Sequence, residues 1–550
     1  MTIQPPVHET DVPVPLSLEQ QLVEIDTQYV QQHRFLEALQ HLTLLAHQNL
    51  TEARVWLLIG FVYTRMAYWK HAISALETVL QLDPKDNQAK QLLSLALFST
   101  GQQEQACKLI DQVIKQKNAN SAQWMLRAFL HAHTYKDPMH ALGVARDWGK
   151  RFADPLTRAA KPLIVKDRSP RKKLKVGYVT ADFREHSVAF FMQPVLAHHN
   201  PENVEVHVYS NGPADHVTEQ LKSLVPYWHD VAALSDDALY AQIRNEGIDI
   251  LVDLSGFTHG QRLLVFARRA APVQVTWLGY MHTLGMKAMD YRLVGIDTQH
   301  LQLEKFHSET LFYLQGLICY APPVYAPLCE EPPIARNKFP TLVSLNNSAK
   351  ISDEILHLWA KILYECEDAR LIILVKEDNA EAAQAHMQPR VEAAGMPLER
   401  VLVLPQLPIS QFMEIGHIAD IALDTSPISG GTTSLHALWM GMPIVTLDAE
   451  RDAEAATARI LKSLGMGGVI AKNADDYVNG ALHLIANPEH LRQQRLVLRD
   501  RLRNSFFMDY GGRIAEMEKA YRLMWLNYLR EDRKARNVNF ELEPLFHAVS

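Results

Sequence analysis

The 550-residue chain has four cysteines, Cys107, Cys319, Cys329 and Cys366, and no two of them form a CxxC pair. That scatter indicates neither a zinc site nor a disulfide frame, and a reducing cytoplasm is the simplest expectation. No uninterrupted apolar run approaches the roughly 18 residues needed to cross a bilayer. The first residues, MTIQPPVHETDVPVPLSLEQ, lack the basic start and apolar run of a signal peptide. A formal charge of −7 provides no basic field for nucleic acid. Several catalytic signatures are missing too. There is no GxGxxG fingerprint, no GxxxxGK[ST] loop and no GxSxG elbow, which sets dinucleotide oxidoreductases, P-loop NTPases and serine hydrolases back. The DxD carboxylate pair with which many sugar transferases hold Mg²⁺ or Mn²⁺ is also absent, so no metal is expected.

What remains is a composition with 47% hydrophobic and 21% charged residues, typical of a soluble globular protein of two to four domains. After a proline-rich leader over residues 1–16, the chain turns helical and repeats itself. Trp56, Ile59, Gly60, Tyr63, Ala72, Leu76, Val79 and Pro84 have the spacing of a tetratricopeptide repeat. One period back lie Tyr29, Ala38, Leu42 and Leu45; one period on lie Leu93, Leu97, Ala106, Ile110 and Val113, and the next reaches Trp124 and Ala128. A repeat domain is therefore expected over residues 17–150. Arrays of this kind bind a peptide or another protein; the competing use is a spacer or a surface for homo-oligomerisation.

From Leu174 short apolar strands alternate with helical segments. One set is expected at Lys175–Thr180, Val204–Ser210, Asp249–Leu254, Val273–Leu278 and Arg292–Ile296, in a lobe over residues 171–320. A second is expected at Thr341–Leu345, Leu371–Val375, Val401–Leu404, Ile421–Leu423, Ile444–Leu447 and Val469–Ala471, in a lobe over 338–530. Proline-rich Leu314–Asn337 between them has the composition of a linker. The pattern predicts an α/β class with two doubly wound parallel sheets and a ligand cleft at the carboxyl ends of their strands.

Within the second lobe, ADIALDTSPISGGTTSLHALWMGMPIVTL predicts a strand ending at Asp424, a turn at Gly430 and Gly431, and a helix opened by Thr432 and Thr433. A helix start with free amides facing a crevice suits a phosphate. Lys350, in SLNNSAKIS after the lobe's first strand, is placed to neutralise a diphosphate, with Asn346 and Asn347 beside it. In the first lobe, Asp182 and His186 in TADFREHSVAFF follow the first strand, and the histidine is a candidate base. Asp253, Thr258, His259 and Arg262 occupy DLSGFTHGQR, and Gly279 with Trp277 and Tyr280 occupies TWLGY. The ordinary alternatives are a solvated lysine, a capping aspartate and an aromatic pair that packs the core.

Taken in order, KVGYVTADFREHSV, ILVDLSGFTHGQR, APVQVTWLGY, LNNSAKIS and LDTSPISGGTTSLHALWMGMPIVT, preceded by the repeats, resemble the protein O-GlcNAc transferases of glycosyltransferase family 41. The resemblance runs from about residue 17 to about 525. It implies a GT-B fold and an inverting, metal-independent transfer from UDP-GlcNAc to Ser/Thr hydroxyls, with no cofactor beyond the nucleotide sugar. It also implies that the repeats present an acceptor protein. By position, Lys350 matches the indispensable diphosphate lysine, His186 the active-site histidine, and Thr432 and Thr433 the phosphate-binding threonines. Asn347 matches a glutamine near the nucleotide, Gly279 a backbone contact to the sugar, Thr258 a sugar-pocket threonine, and Leu407 a residue of the nucleotide-sugar pocket.

The chain departs from the mammalian members at the base, ribose and sugar end. His436 replaces the aspartate that takes the ribose hydroxyls, Ile409 a second lysine, Phe412 the histidine stacked on uracil, and Gly431 a histidine against the sugar. Two alternatives therefore stand beside the first reading. One is a plant-type O-fucosyltransferase using GDP-fucose; the other is a repeat adaptor with a degenerate transferase domain.

Overall fold

The computed structural model describes residues 16–536 except 317, 378 and 450–454, so the leader expected over 1–16 lies outside the described residues but for Leu16. The chain divides into two compact units, Met1–Leu97 and Phe98–Ser550. In the first unit, helices Phe35–Gln48, Ala53–Met66 and Trp69–Leu82 stack in antiparallel pairs. Ala38, Leu42, Val55, Ala72, Leu76 and Val79 are fully buried between them. Gly60 shows why the repeat needs a small residue: a Cβ there would lie 2.6 Å from Leu76 Cδ2 of the partner helix.

The second unit contains two all-parallel sheets. The first has strands β1 (Leu174–Thr180), β2 (Val204–Ser210), β3 (Tyr227–Asp230), β4 (Ile250–Asp253), β5 (Val273–Thr276), β6 (Tyr291–Gly295) and β7 (Thr310–Leu314), in the order β3-β2-β1-β4-β5-β6-β7. The second has β8 (Thr341–Ser344), β9 (Arg370–Leu374), β10 (Val401–Leu404), β11 (Ile421–Leu423) and β12 (Ile444–Val445), in the order β10-β9-β8-β11-β12. Strands buried on both faces read as continuous apolar runs, which is why ten of the expected strands form at or within two residues of the expected ends.

The exceptions have physical reasons. β3 and β7 are edge strands with mostly exposed or partly exposed residues; YWHD carries little apolar signal, and TLFYL adjoins the proline-rich stretch from Leu314 and reads as part of the connection. The strand expected at Val469–Ala471 shrinks to a single bridge between Leu447 and Ala471. The proline-rich connection is no free linker either. Tyr320 is fully buried, its N–H donates to the Phe507 carbonyl at 2.8 Å, and Cys329 is buried beside Arg495. Arg495 is itself inaccessible and donates to the carbonyls of Cys329, Ala419, Asp420 and Gly416.

Two expected domain limits are also corrected. Helices Ser121–Thr134 and Pro138–Trp148 share one core with the first sheet: Met125, Ala128, Val144 and Trp148 pack with Val179, Phe257, Phe266 and Leu284. A repeat domain ending at 150 would cut through that core. The last helix, Tyr510–Arg536, assigned by sequence to the second lobe, instead places Ile514, Tyr521, Trp525 and Leu529 against Val176, Ile250 and Trp277 of the first.

Each sheet has one point where its strand order reverses, between β1 and β4 in the first and between β8 and β11 in the second. Connections leave in opposite directions there and open a crevice at the carboxyl ends, the usual ligand position in open α/β sheets. The loops at the two crevices are those that carry His186 and Thr258, and Lys350 and the glycine turn.

Candidate active site

The second crevice is organised by Asp424, buried at the end of β11. Its Oδ1 accepts from the Gly430 N–H at 2.7 Å and from Asn346 Nδ2 at 3.0 Å, while Oδ2 accepts from the Thr446 hydroxyl at 2.7 Å. One carboxylate thereby fixes the glycine turn to the loop after β8. Asn346 extends the network, its Oδ1 accepting from the Thr433 hydroxyl at 2.6 Å. Behind the turn, the buried Thr457 hydroxyl donates to the Gly430 carbonyl at 3.0 Å, and the Thr457 N–H donates to Ser429 Oγ at 3.2 Å.

Lys350 closes the ring, donating from Nζ to the Ser429 carbonyl at 2.9 Å. Burial pulls its ammonium below the usual lysine range, and Asp424 partly opposes that pull. Among the described residues no carboxylate is hydrogen-bonded to this ammonium; it is held by a neutral carbonyl beside the start of helix Thr432–Trp439. The first-turn amides of Thr432 and Thr433 have no intrahelical acceptor. A cation and a helix start thus converge on one side of the turn, an arrangement that stabilises a dianionic group.

The two glycines differ. A Cβ on Gly430 would lie 2.4 Å from Ser434 Oγ, and its N–H is already given to Asp424, so Gly430 serves packing within the turn. A Cβ on Gly431 would meet nothing within 4 Å, so Gly431 borders open space. Asn347 is exposed and its side chain accepts from the Ala349 N–H at 3.1 Å, capping the turn that carries Lys350.

His436 lies on the same helix, buried. Its Nδ1 shares a hydrogen bond of 2.7 Å with the Tyr320 hydroxyl, and Phe190 and Phe412 meet its ring edge-on at 4.8 and 5.8 Å. Leu407, Ile409 and Phe412, each partly buried, pack on the same cluster. Burial drives His436 from its ordinary 6.5 down to about 3, so the ring is neutral. Between those values the unfolded chain binds a proton that the folded chain excludes, and stability therefore falls as pH drops below about 6.5. Going from about pH 7.5 to about pH 5.5 should cost about 1.4 kcal/mol through this residue. Urea midpoints at the two pH values should show a smaller loss in His436→Asn than in the parent; equal losses would refute the assignment.

In the first crevice His186 caps helix Ser187–His198, its Nδ1 accepting from the Val188 N–H at 3.3 Å. The buried carboxylate of Asp182 lies 3.7 Å from the same nitrogen. Burial lowers the His186 pKa, Asp182 raises it, and Arg184 and Lys376 lower it further. A neutral ring whose Nδ1 accepts carries its proton on Nε2. In that state His186 offers an N–H donor at Nε2.

Asp253 accepts from the N–H groups of Ser255 and Gly256 and from the Thr276 hydroxyl, fixing the loop after β4. Thr258 gives its hydroxyl to the Ser255 carbonyl at 2.8 Å and remains partly exposed. Arg262 is spent on structure, donating to Asn211, Asp236 and the carbonyls of Val231 and Leu234. Gly279 has a packing reason of its own: a Cβ would lie 1.9 Å from the Leu254 carbonyl oxygen, and its N–H turns back to the Trp277 carbonyl at 3.0 Å. Leu278 before it has φ 74°, a left-handed conformation costly for leucine. Trp277 and Tyr280 are core residues. The sequence reading missed Tyr320, Phe190, Ser429 and Thr457, whose roles depend on contacts distant in the chain.

The profile of Glycosyl transferase family 41 matches residues 158–319 and 341–511. A tetratricopeptide repeat profile matches residues 69–130. A probable UDP-N-acetylglucosamine–peptide N-acetylglucosaminyltransferase SPINDLY of Solanum lycopersicum is 33% identical over 395 residues, covering 70% of this chain and 42% of the relative. The protein of the same description from Oryza sativa subsp. japonica is 34% identical over 400 residues, covering 71% and 43%. The chain thus spans about two fifths of the length of these curated relatives. The solved structure of a Thermobaculum terrenum O-GlcNAc transferase, a lysine-to-methionine mutant, superposes with a TM-score of 0.85 at 31% identity, covering 94% of this chain and 98% of that one. The expected GT-B architecture is therefore the fold of this chain.

Proposed function

The chain belongs to glycosyl transferase family 41, and from that premise we propose that it transfers GlcNAc from UDP-GlcNAc to Ser/Thr hydroxyls of proteins. The observation that carries this reading is Lys350, a partly buried ammonium held, among the described residues, by the Ser429 carbonyl at the start of helix Thr432–Trp439. A leaving diphosphate is the group such a site stabilises. The names of the relatives and the likeness to the T. terrenum enzyme support the donor and the acceptor class.

In the proposed step the acceptor hydroxyl oxygen attacks the anomeric carbon from the face opposite the diphosphate, which inverts the centre. The bond from that carbon to the phosphate oxygen breaks, and its electron pair stays on the diphosphate. Lys350 and the amides of Thr432 and Thr433 take up the charge. With Nδ1 of His186 occupied by the Val188 amide, the acceptor proton passes to the departing phosphate, and His186 Nε2–H orients the reactants. No metal is assigned a step, because the lysine and the helix start supply the positive charge. Thr258 and the peptide at Gly279 border the sugar, and Leu407 and Phe412 the base. The repeats take the acceptor protein, and the setting is cytoplasmic.

His436 favours a second reading. A neutral imidazole committed to Tyr320 departs from the ribose carboxylate of the mammalian members, and the phosphate turn, common to UDP and GDP, accommodates the GDP-fucose of the plant-type members equally well. Thermal melting with UDP, GDP and their sugars, paired with intact-mass analysis of an acceptor protein, separates the readings. Ligand at a hundredfold excess over Kd stabilises the folded state by about 2.7 kcal/mol. UDP-selective stabilisation with a GlcNAc mass increment is expected. GDP selectivity would change the donor, and no response to any nucleotide would leave the adaptor reading in place.

A further inference from the structure

Far along the first sheet from the reversal point, on its β3 edge, lie two histidines and a glutamate that the transfer reaction does not use. His207 stands on β2, His229 on β3, and Glu246 ends helix Asp236–Glu246. In the parallel register His207 faces Tyr227 and Tyr209 faces His229, so the two imidazoles share a face of the sheet. Their rings are within 11° of parallel.

Three ligand atoms converge. His229 Nε2 is 3.5 Å from His207 Nδ1, His207 Nδ1 is 3.7 Å from Glu246 Oε2, and His229 Nε2 is 3.6 Å from the same oxygen. A triangle with these edges has its centre about 2.1 Å from every corner, the bond length of zinc to imidazole nitrogen and carboxylate oxygen. We propose that His207, His229 and Glu246 form a three-ligand site for a divalent transition-metal ion, zinc foremost, with its fourth position open to water.

The surroundings are those of metal ligands. His207 Nε2, the nitrogen facing away, donates to Glu205 Oε1 at 3.0 Å, which leaves Nδ1 unprotonated and orients the ring. Lys175 Nζ in turn holds Glu205 Oε1 at 3.1 Å. The Tyr209 hydroxyl donates to Glu246 Oε2 and fixes the carboxylate. Gln242 Nε2 donates to Glu246 Oε1 at 2.9 Å and meets His229 Nδ1 at 3.2 Å. Metal binding places the His229 proton on Nδ1, and the Gln242 carboxamide turns its oxygen to accept it. Two imidazoles and one carboxylate select zinc, cobalt, nickel or copper over magnesium or calcium, which prefer all-oxygen sites. The site clips the edge strand β3 and the helix end to β2.

The test uses the full chain, stripped with chelator and titrated with cobalt(II) chloride while the ligand-field absorption is followed, with zinc chloride then added as competitor. Saturation at one equivalent, displaced by zinc, is expected. His229→Gln and Glu246→Gln, both at partly exposed positions, should each weaken binding at least tenfold with an unchanged circular dichroism spectrum. Glu205→Gln should weaken it by about 10–100-fold, as loss of an orienting partner does. No saturable cobalt spectrum in the parent, or equal binding in the parent and His229→Gln, would overturn the proposal. Should Glu246→Gln fail to fold, His229→Gln decides alone.

Discussion

Replacing Lys350 by methionine should reduce turnover at saturating donor by about 10²–10³-fold, the loss typical of one preorganised donor to a developing anion. The unfolding midpoint should stay the same or rise. That combination follows from the site's electrostatics. Among the described residues the partly buried ammonium is held by one neutral carbonyl, so folding bears its desolvation without a hydrogen-bonded carboxylate in return. An apolar side chain of similar length removes that penalty, as substitutions of buried charges often do. The relevant measurements are kcat and the urea midpoint on the same preparation. Full activity would remove Lys350 from the reaction. A large loss of stability would mean that its bond to Ser429 holds the turn rather than awaiting a phosphate.

Asp424→Ala should do the reverse and strike the fold first. Its carboxylate accepts from Gly430, Asn346 and Thr446, all inside the second lobe, and removal leaves three donors unsatisfied. A loss of about 3–5 kcal/mol is expected from urea unfolding. Asp424→Asn, which keeps the shape and one acceptor, should cost less than half of that. If alanine and asparagine cost the same small amount, the glycine turn is held by its own backbone, and the account of the site above is wrong.

Much of this was legible in the chain. The parallel strands read clearly because both faces are buried and each run is apolar throughout. Lys350, His186, Thr432 and Thr433 could be placed because they follow strands, and the strand order sends those loops to the two reversal points. At Gly430 and Gly279, which the sequence marks as donor-site positions, the structure adds a packing reason for glycine. Each is glycine because protein atoms stand where a Cβ would go. Tyr320 was hidden among prolines, since its value lies in meeting His436, 116 residues away, and no local pattern encodes such a pair. The metal ligands escaped for the same reason: their convergence depends on strand register and a helix end, not on spacing.

The core shared by the helices from Ser121 to Trp148 and the first sheet has an evolutionary consequence. Gly149 and Gly285 approach so closely that a Cβ on the former would lie 2.1 Å from the latter's carbonyl, and Gln103 donates to the carbonyl of Ala349, next to Lys350. These helices cannot be exchanged as a cassette without tearing out part of the enzyme's interior. Any gain or loss of repeats therefore has to fall before Gln103, ahead of the stretch that packs as one piece with the first sheet.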